Sequence, residues 1–341
     1  MSSLATHSPL KIAIAGLGPM GRYHLERLSL RKDCRLVAAF DVDQSRADYA
    51  AAYGCRLFQT WNDFRNDREI DLVLIATPPD THAQLAIEAL EAGKHVIVEK
   101  PLCLTLLEAD TVLEAARCSG RMLSVVQNRR WDDDFQVALT TLQSGALGRL
   151  QAVKLIIWGY GFAEEARWQD QSVWRTQQRR GGGVLFEFGA HYFDQLLQLV
   201  PERVDSVFAQ TTVVSSHTAD SCERVAAEDA FLAIVKFTTG VTAQIEFNVR
   251  SLVSLHTGWT LTGSQGGYQN FRRYSMTEEG EIFHTLAESI PTDWDQYYSG
   301  IINHLRGVAA APPVIADEAR RVVALIEAAR RSAKSGQVES P

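Results

Sequence analysis

Five cysteines in 341 residues, Cys34, Cys55, Cys103, Cys118 and Cys222, are odd in number and widely spaced. No C-x-x-C pair occurs among them, which argues against a disulfide framework and against structural zinc. They read as reduced thiols, used mostly in packing. No apolar run approaches the ~20 residues that cross a bilayer, and Met1 to Pro9 carry neither the basic nor the apolar region of a secretory signal. A cytoplasmic protein with no membrane partner is the expectation. Basic excess is also lacking: 34 Lys and Arg face 41 Asp and Glu, a formal charge of −7. The Arg pairs (Arg129/Arg130, Arg179/Arg180, Arg272/Arg273, Arg320/Arg321) are scattered, so nucleic acid is not an expected partner. Low complexity and internal repeats are absent too. At 46% hydrophobic and 22% charged residues the chain is globular in composition, and its length suggests two domains.

What the chain does have is alternation. Lys11–Ala15, Leu36–Phe40, Leu72–Ala76, His95–Val98 and Met122–Val126 are short apolar runs, as in strands buried on both faces of a parallel sheet. Gly21–Leu30, Gln44–Tyr53, His82–Ala92 and Thr105–Ser119 read as helices between them. The last opens on a capping box, Thr105-Leu106-Leu107-Glu108, and Gly93 and Gly120 fall where helices stop. The fold class predicted is α/β, a Rossmann-type doubly wound parallel sheet over residues 8–127. After an amphipathic segment, Asp132–Gln143, the rhythm changes. Leu150–Trp158, Val204–Thr212, Ala230–Phe237, Val241–Val249 and Trp259–Gly263 read as longer strands, with Thr238-Thr239-Gly240 as a hairpin turn. They predict an α+β domain with an open, mostly antiparallel sheet over 128–315. A helix over Gly183–Val200 interrupts these strands. A last one, within 316–336, bears Val322, Val323, Leu325, Ile326 and Ala329 on one stripe and is expected to pack back on the first domain.

Gly16-Leu17-Gly18-Pro19-Met20-Gly21 follows the first strand and opens a helix. Glycines permit the tight turn and the close backbone approach, and the helix N-terminus attracts a pyrophosphate. About twenty residues on stands Asp41, whose carboxylate suits the ribose hydroxyls of NAD and repels the 2′-phosphate of NADP. The competing reading is a cap on the next helix, and Arg46 a turn away tolerates a phosphate. NAD is the expected cofactor, with NADP left open. Two further stretches end strands, where ligands bind in open α/β sheets. They are Thr77-Pro78-Pro79-Asp80-Thr81-His82 and Glu99-Lys100-Pro101, and they add Thr77, Pro78, His82, Glu99 and Lys100 to the candidate cofactor site. On spacing alone Lys100 is an ordinary exposed lysine. Its bond to Pro101 is of the kind that can be cis. In Gly181–Asp194 a helix would place Glu187, His191 and Asp194 on one face. A carboxylate and an imidazole so presented suit proton transfer, and the alternative is an intrahelical pair without chemistry. No metal site is expected, for want of a third ligand.

In this order, Gly16–Gly21, Thr77–His82, Glu99–Pro101, the Gly181–Asp194 helix and the tail from Pro312 to Gly336 resemble the Gfo/Idh/MocA oxidoreductase family over nearly the whole chain. Gln127–Phe135 with Trp174-Arg175 looks most like its scyllo-inositol dehydrogenase branch. The resemblance implies a Rossmann domain followed by an open-faced sheet, through which homodimers or homotetramers form. It also implies the lysine of E-K-P and the histidine of the helix as catalytic residues, here Lys100 and His191. Where the family has Asp four residues before that histidine, this chain has Glu187, one methylene longer. The reaction implied is reversible hydride transfer between nicotinamide and a secondary alcohol of a sugar, cyclitol or related polyol. Asn128, Arg129, Tyr160, Trp174 and Arg175, with Lys100, Glu187 and His191, are the candidates for the substrate wall, since aromatic faces and amide or guanidinium donors recognise hydroxyls. Two other functions compete. An NAD-dependent glycoside hydrolase using transient oxidation would cleave glycosides without net NADH. A non-catalytic dinucleotide-binding sensor would have no need of Lys100 and His191.

Overall fold

Alternation of apolar runs and helices builds the first of two compact units, the residues up to Gln127 together with Asp295–Arg320. The computed structural model describes residues 8–160, 174–175, 177–213 and 227–341; the N-terminal residues 1–7 and Cys222 lie outside them. Strands β1 (Leu10–Ala15), β2 (Cys34–Phe40), β3 (Arg56–Phe58), β4 (Leu72–Ile75), β5 (His95–Val98) and β6 (Leu123–Val125) are all parallel, in the order β3-β2-β1-β4-β5-β6. β4 is wholly inaccessible, as a central strand covered on both faces must be. The order reverses between β1 and β4, so a crevice opens at the carboxyl ends of these strands. Helices α1 (Pro19–Ser29), α2 (Ala47–Ala52), α3 (Trp61–Asn66), α4 (His82–Glu91) and α5 (Leu106–Ser119) connect them. The capping box of α5 is formed on both sides, and Gly120 ends it in the left-handed region.

The second unit, Asn128–Trp294 with Arg321–Pro341, begins with α6 (Asp133–Gln143). Its nine-stranded sheet comprises β7 (Leu150–Tyr160), β8 (Val204–Thr212), β9 (Ala230–Phe237), β10 (Thr242–Asn248), β11 (Arg250–His256), β12 (Thr260–Gly263), β13 (Gly267–Gln269), β14 (Arg272–Met276) and β15 (Ile282–Leu286). The order is β15-β14-β13-β12-β7-β10-β9-β8, with β11 on β7. Only the β7–β10 pair is parallel among these pairings. Alternation is clean on β9 and β10: Phe231, Ala233, Val235, Ala243, Ile245 and Phe247 are buried. On the edge strands Leu252, Val253, Ile282, Phe283 and Leu286 are exposed.

Three expectations change. The helix over Gly183–Val200 divides at Phe188 into α7 (Val184–Glu187) and α8 (Gly189–Leu199), where the Phe188 ring stacks on Phe247 with centroids 4.3 Å apart. Residues 295–315 belong to the first unit rather than the second. Their helix α9 (Asp295–Leu305) is anchored by Tyr297 on Ser124, 3.1 Å, and Tyr298 on His24, 2.6 Å. Of the last helix, α10 (Ala316–Ser335), only the first turn lies with the first unit, where Arg320 pairs with Asp110. The rest packs within the second: the Ser332 hydroxyl accepts the Ala209 N–H at 2.9 Å, and Arg330 lies 4.8 Å over the Phe186 ring. No helix among the described residues is long and apolar enough to cross a membrane.

Candidate active site

The glycine loop is shaped by contacts that exclude side chains. Gly16 has φ +92°, and an added Cβ would lie 2.7 Å from the Ala76 carbonyl oxygen; one on Gly21 would overlap the carbonyl of Gly16. At Gly18 the space is open, the nearest atom being the Arg46 guanidinium at 4.0 Å. Gly18 is the N-cap of α1, with Pro19 and Met20 in its first turn, and no side chain caps that end. Buried Asp41 accepts the Leu17 N–H at 2.6 Å and Arg46 Nη1 at 2.9 Å on one oxygen, and the Asp43 N–H at 2.8 Å on the other. It therefore braces the loop from the end of β2 while carrying a guanidinium beside it. An open cradle, uncapped helix amides and a carboxylate at that strand end fit a dinucleotide.

Buried histidines tie the two other strand-end stretches to α1 and to each other. His24, on α1, contacts Glu99 Oε1 through Nε2 and the Tyr298 hydroxyl through Nδ1, both at 2.6 Å. Burial pushes the Tyr298 phenol far above its ordinary range, so it stays protonated. The other Glu99 oxygen accepts the Lys100 N–H at 3.0 Å. His82 spans Thr77 and Pro101, each ring nitrogen 2.8 Å from a backbone carbonyl. Burial pushes its pKa down, and the two carbonyls, Glu99 and Asp80 pull it back up. Thr77 and Pro78 are half-buried, the Thr77 hydroxyl bonding that of Thr81 at 2.7 Å. The Lys100–Pro101 bond is cis. Lys100 is half-buried.

In the second unit Glu187 ends α7 and His191, buried, stands in the first turn of α8. Arg175 lies with its Nε 3.8 Å from the Glu187 carboxylate and its guanidinium 4.4 Å over the Trp174 ring. The triple glycine admits this arrangement: a Cβ on Gly182 would overlap the backbone of Arg175, and one on Gly183 (φ +103°) the carboxylate of Glu228. Glu228, which sequence reasoning passed over, accepts the Leu185 N–H at 3.0 Å and so satisfies an α7 amide. Asp194 does not serve the Glu187–His191 face; it is buried in a two-bond pair with Arg130, both bonds 2.7 Å. Asn128 opens a short 3-10 turn with Arg129, and Tyr160 is exposed at the end of β7.

Arg129 reaches a cavity of about 340 Å³ lined also by Asp132, Asp133, Asp134, Ile157, Tyr192, Gln195, His256 and Phe271. Of these the sequence reading named only Arg129 for ligand contact. The three aspartates belong there to the amphipathic segment Asp132–Gln143 and to the Gln127–Phe135 stretch. Arg129 pairs with Asp132 at 3.2 Å, and Trp294 donates to the other Asp132 oxygen at 2.7 Å. Burial raises the Asp132 carboxyl against both partners. Burial and the neighbouring Asp132 raise that of Asp134. Among the described residues no group of three or more His, Cys, Asp or Glu side chains is placed to hold a metal ion.

A family model described as an oxidoreductase family with NAD-binding Rossmann fold matches residues 10–127, and one described as a GFO/IDH/MocA C-terminal domain matches residues 135–269. The uncharacterized oxidoreductase YdgJ of Escherichia coli is 32% identical over 287 residues, covering 79% of this chain and 80% of that one. The scyllo-inositol 2-dehydrogenase (NADP(+)) IolW of Bacillus subtilis is 27% identical over 348 residues, covering 95% and 94%. The WlbA dehydrogenase of Bordetella pertussis, solved with NADH and UDP-GlcNAcA, superposes with a TM-score of 0.82 at 25% identity, covering 98% and 99%.

Proposed function

The chain belongs to the Gfo/Idh/MocA oxidoreductase family, and from that premise we propose that it reversibly oxidises a secondary alcohol of a sugar or cyclitol in the cytoplasm. The observation that carries this reading is the 2.6 Å contact of His24 with Glu99. It ties the helix that opens the glycine loop to the turn bearing Lys100. The inositol dehydrogenases among the relatives point to the same substrate class.

Bound NAD supplies the acceptor for the hydride. The residues of the chain deal with the oxygen left behind. An alcohol that gives up a hydride must also lose its hydroxyl proton, or a protonated ketone results. His191 accepts that proton, an imidazole being able to take and return it near neutrality. The Lys100 ammonium donates to the same oxygen and stabilises the alkoxide as it forms. Glu187, steadied by Arg175, orients this pair or receives a neighbouring hydroxyl. Asn128, Arg129, Tyr160, Trp174 and Arg175 contact the remaining hydroxyls. Between Gly16, Gly18 and Gly21 the Met20 amide at the helix start faces the pyrophosphate, Pro19, which has no N–H, sets the first helical turn, and Leu17 is held in place by Asp41, while Thr77 and Pro78 line the nicotinamide side. His82 and Glu99 serve by holding the backbone on which Thr77 and Lys100 stand. Asp41 meets the ribose and favours NAD. Arg46 beside it leaves NADP usable.

Homodimers or homotetramers form through the open sheet, whose exposed Leu252, Val253, Ile282 and Leu286 make an apolar surface that suits a second copy. Sedimentation showing only monomer at micromolar concentration would remove this statement. The reaction is tested by offering inositols, aldoses and glycosides with NAD and with NADP. Net NADH formation from a polyol is the expected result. Cleavage of an aryl glycoside without net NADH would establish the hydrolase instead. In the same assay Asp41→Ala should weaken NAD more than NADP.

A further inference from the structure

The cavity at the start of α6 holds groups that the fold does not use up. The Tyr192 side chain is 9% exposed, and its hydroxyl, which no described residue bonds, is open to the cavity and not sealed in the core. It lies within electrostatic reach of Arg129, Asp132 and Asp134, which raise or lower its pKa around a burial effect that pushes it up to about 12. It stays a donor at every physiological pH. Asp134 accepts the Phe135 N–H at 2.7 Å on one oxygen and keeps capacity on the other. Ile157 and Phe271 add apolar wall.

The volume is at the small end of ligand pockets, roughly 300–1,000 Å³, and suits one six-membered ring. Gln195 is held by the Arg129 carbonyl and Trp259, and Asp132 by Arg129 and Trp294; the Tyr192 hydroxyl and the Arg129 guanidinium as donors, with the second Asp134 oxygen as acceptor, stand on apolar flanks, the pattern that vicinal hydroxyls on a carbon ring require. The charge is lopsided: one guanidinium, already paired with Asp132, and the His256 imidazole face three carboxylates. A ligand carboxylate or phosphate would bring a further anion among them, where burial already disfavours negative charge.

Resting on the polyol reading above and sharpening it, we propose that this cavity, which shares Arg129 with the substrate wall, receives the hydroxyl-bearing edge of the substrate ring remote from the oxygen on which Lys100 and His191 act. We further propose that it selects uncharged and amino-bearing polyols over acidic ones. Asp134 and Tyr192 are its specificity-determining residues.

Titration calorimetry on the full chain with NAD present, using myo-inositol, an aminocyclitol and glucuronate as probes, tests this. Inositol and the aminocyclitol should bind at least about tenfold more tightly than glucuronate. Asp134→Asn should cost the aminocyclitol about tenfold, inositol a smaller factor, and bring glucuronate closer to the others. Tyr192→Phe, which keeps the ring, should weaken inositol and aminocyclitol about five- to tenfold, the loss of one hydrogen bond. Equal binding of glucuronate by the wild type, an unchanged ranking in both variants, or no binding of any probe would overturn the proposal. NADH formation without this ranking would sink the proposal and leave the dehydrogenase standing. The ranking without NADH formation would do the reverse.

Discussion

Around the glycine loop, the buried polar groups of the first unit are bonded to the protein itself. Asp41 holds Leu17, Asp43 and Arg46; Glu99 holds His24 and the Lys100 amide; His82 bridges two carbonyls. Around the cavity of the second unit, Tyr192 and one side of Asp134 are not so engaged. The first arrangement is spent within the protein, as suits the mount of a cofactor common to many reactions. The second, on the proposal made for the cavity, leaves a donor and an acceptor for the ligand that distinguishes one reaction from another. A site that recognises by hydrogen bonds must hold some in reserve, and desolvation makes that reserve costly.

Substitutions that break saturated groups should therefore destabilise the chain with no ligand present. The largest effect is expected within the second unit's own scaffold: Asp194→Ala leaves Arg130 buried without its carboxylate, at a cost of about 3–5 kcal/mol in thermal or urea unfolding. In the first unit His24→Ala strips Glu99 of its buried partner and should cost about 1–3 kcal/mol. A cost below about 0.5 kcal/mol, the usual bound for surface changes, would mean that the His24–Glu99 contact is not formed.

Two tyrosines sharpen the contrast. Tyr298→Phe removes a hydroxyl bonded to His24 and should lower stability by about 1 kcal/mol. Tyr192→Phe removes one with no protein partner and should change stability by less than about 0.5 kcal/mol. Equal costs for the two would erase the distinction between spent and reserved groups.

The smallest effect depends on pH. Burial raises the Glu228 carboxyl, so the folded chain holds that proton more tightly than the unfolded chain does. Its contribution to stability is full below the unfolded value, about 4.3, and is lost as pH rises through the folded one. Glu228→Gln keeps an acceptor for Leu185 and escapes this loss. The variant should gain on the wild type as pH rises from about 4 toward 8, and a gain that grew in the opposite direction would contradict a raised pKa.

The parts legible in the sequence are those set by short-range pattern. Val204–Thr212 and Ala230–Phe237 emerge as strands at the expected residues, and the glycine loop opens a helix, because period and turn chemistry are local. What escaped depends on distant partners. α9 joins the first unit through Ser124 and His24, far away in the chain, and no local pattern carries that allegiance. β11, β14 and β15 show mostly exposed or half-exposed residues, so no buried period marks them. The cavity escaped for a different reason: Asp132, Asp133 and Asp134 look like any acidic helix start, and a missing hydrogen bond at Tyr192 has no sequence signature.

The central claim is that Lys100 and His191 act on one alcohol oxygen of a polyol. The most direct measurement is the rate of NADH formation by Lys100→Ala and His191→Ala on the polyol found in the screen, alongside the Kd for NAD. Both variants should lose at least about 100-fold in turnover while binding NAD within about threefold of the wild type. Wild-type turnover in either variant would contradict the assignment.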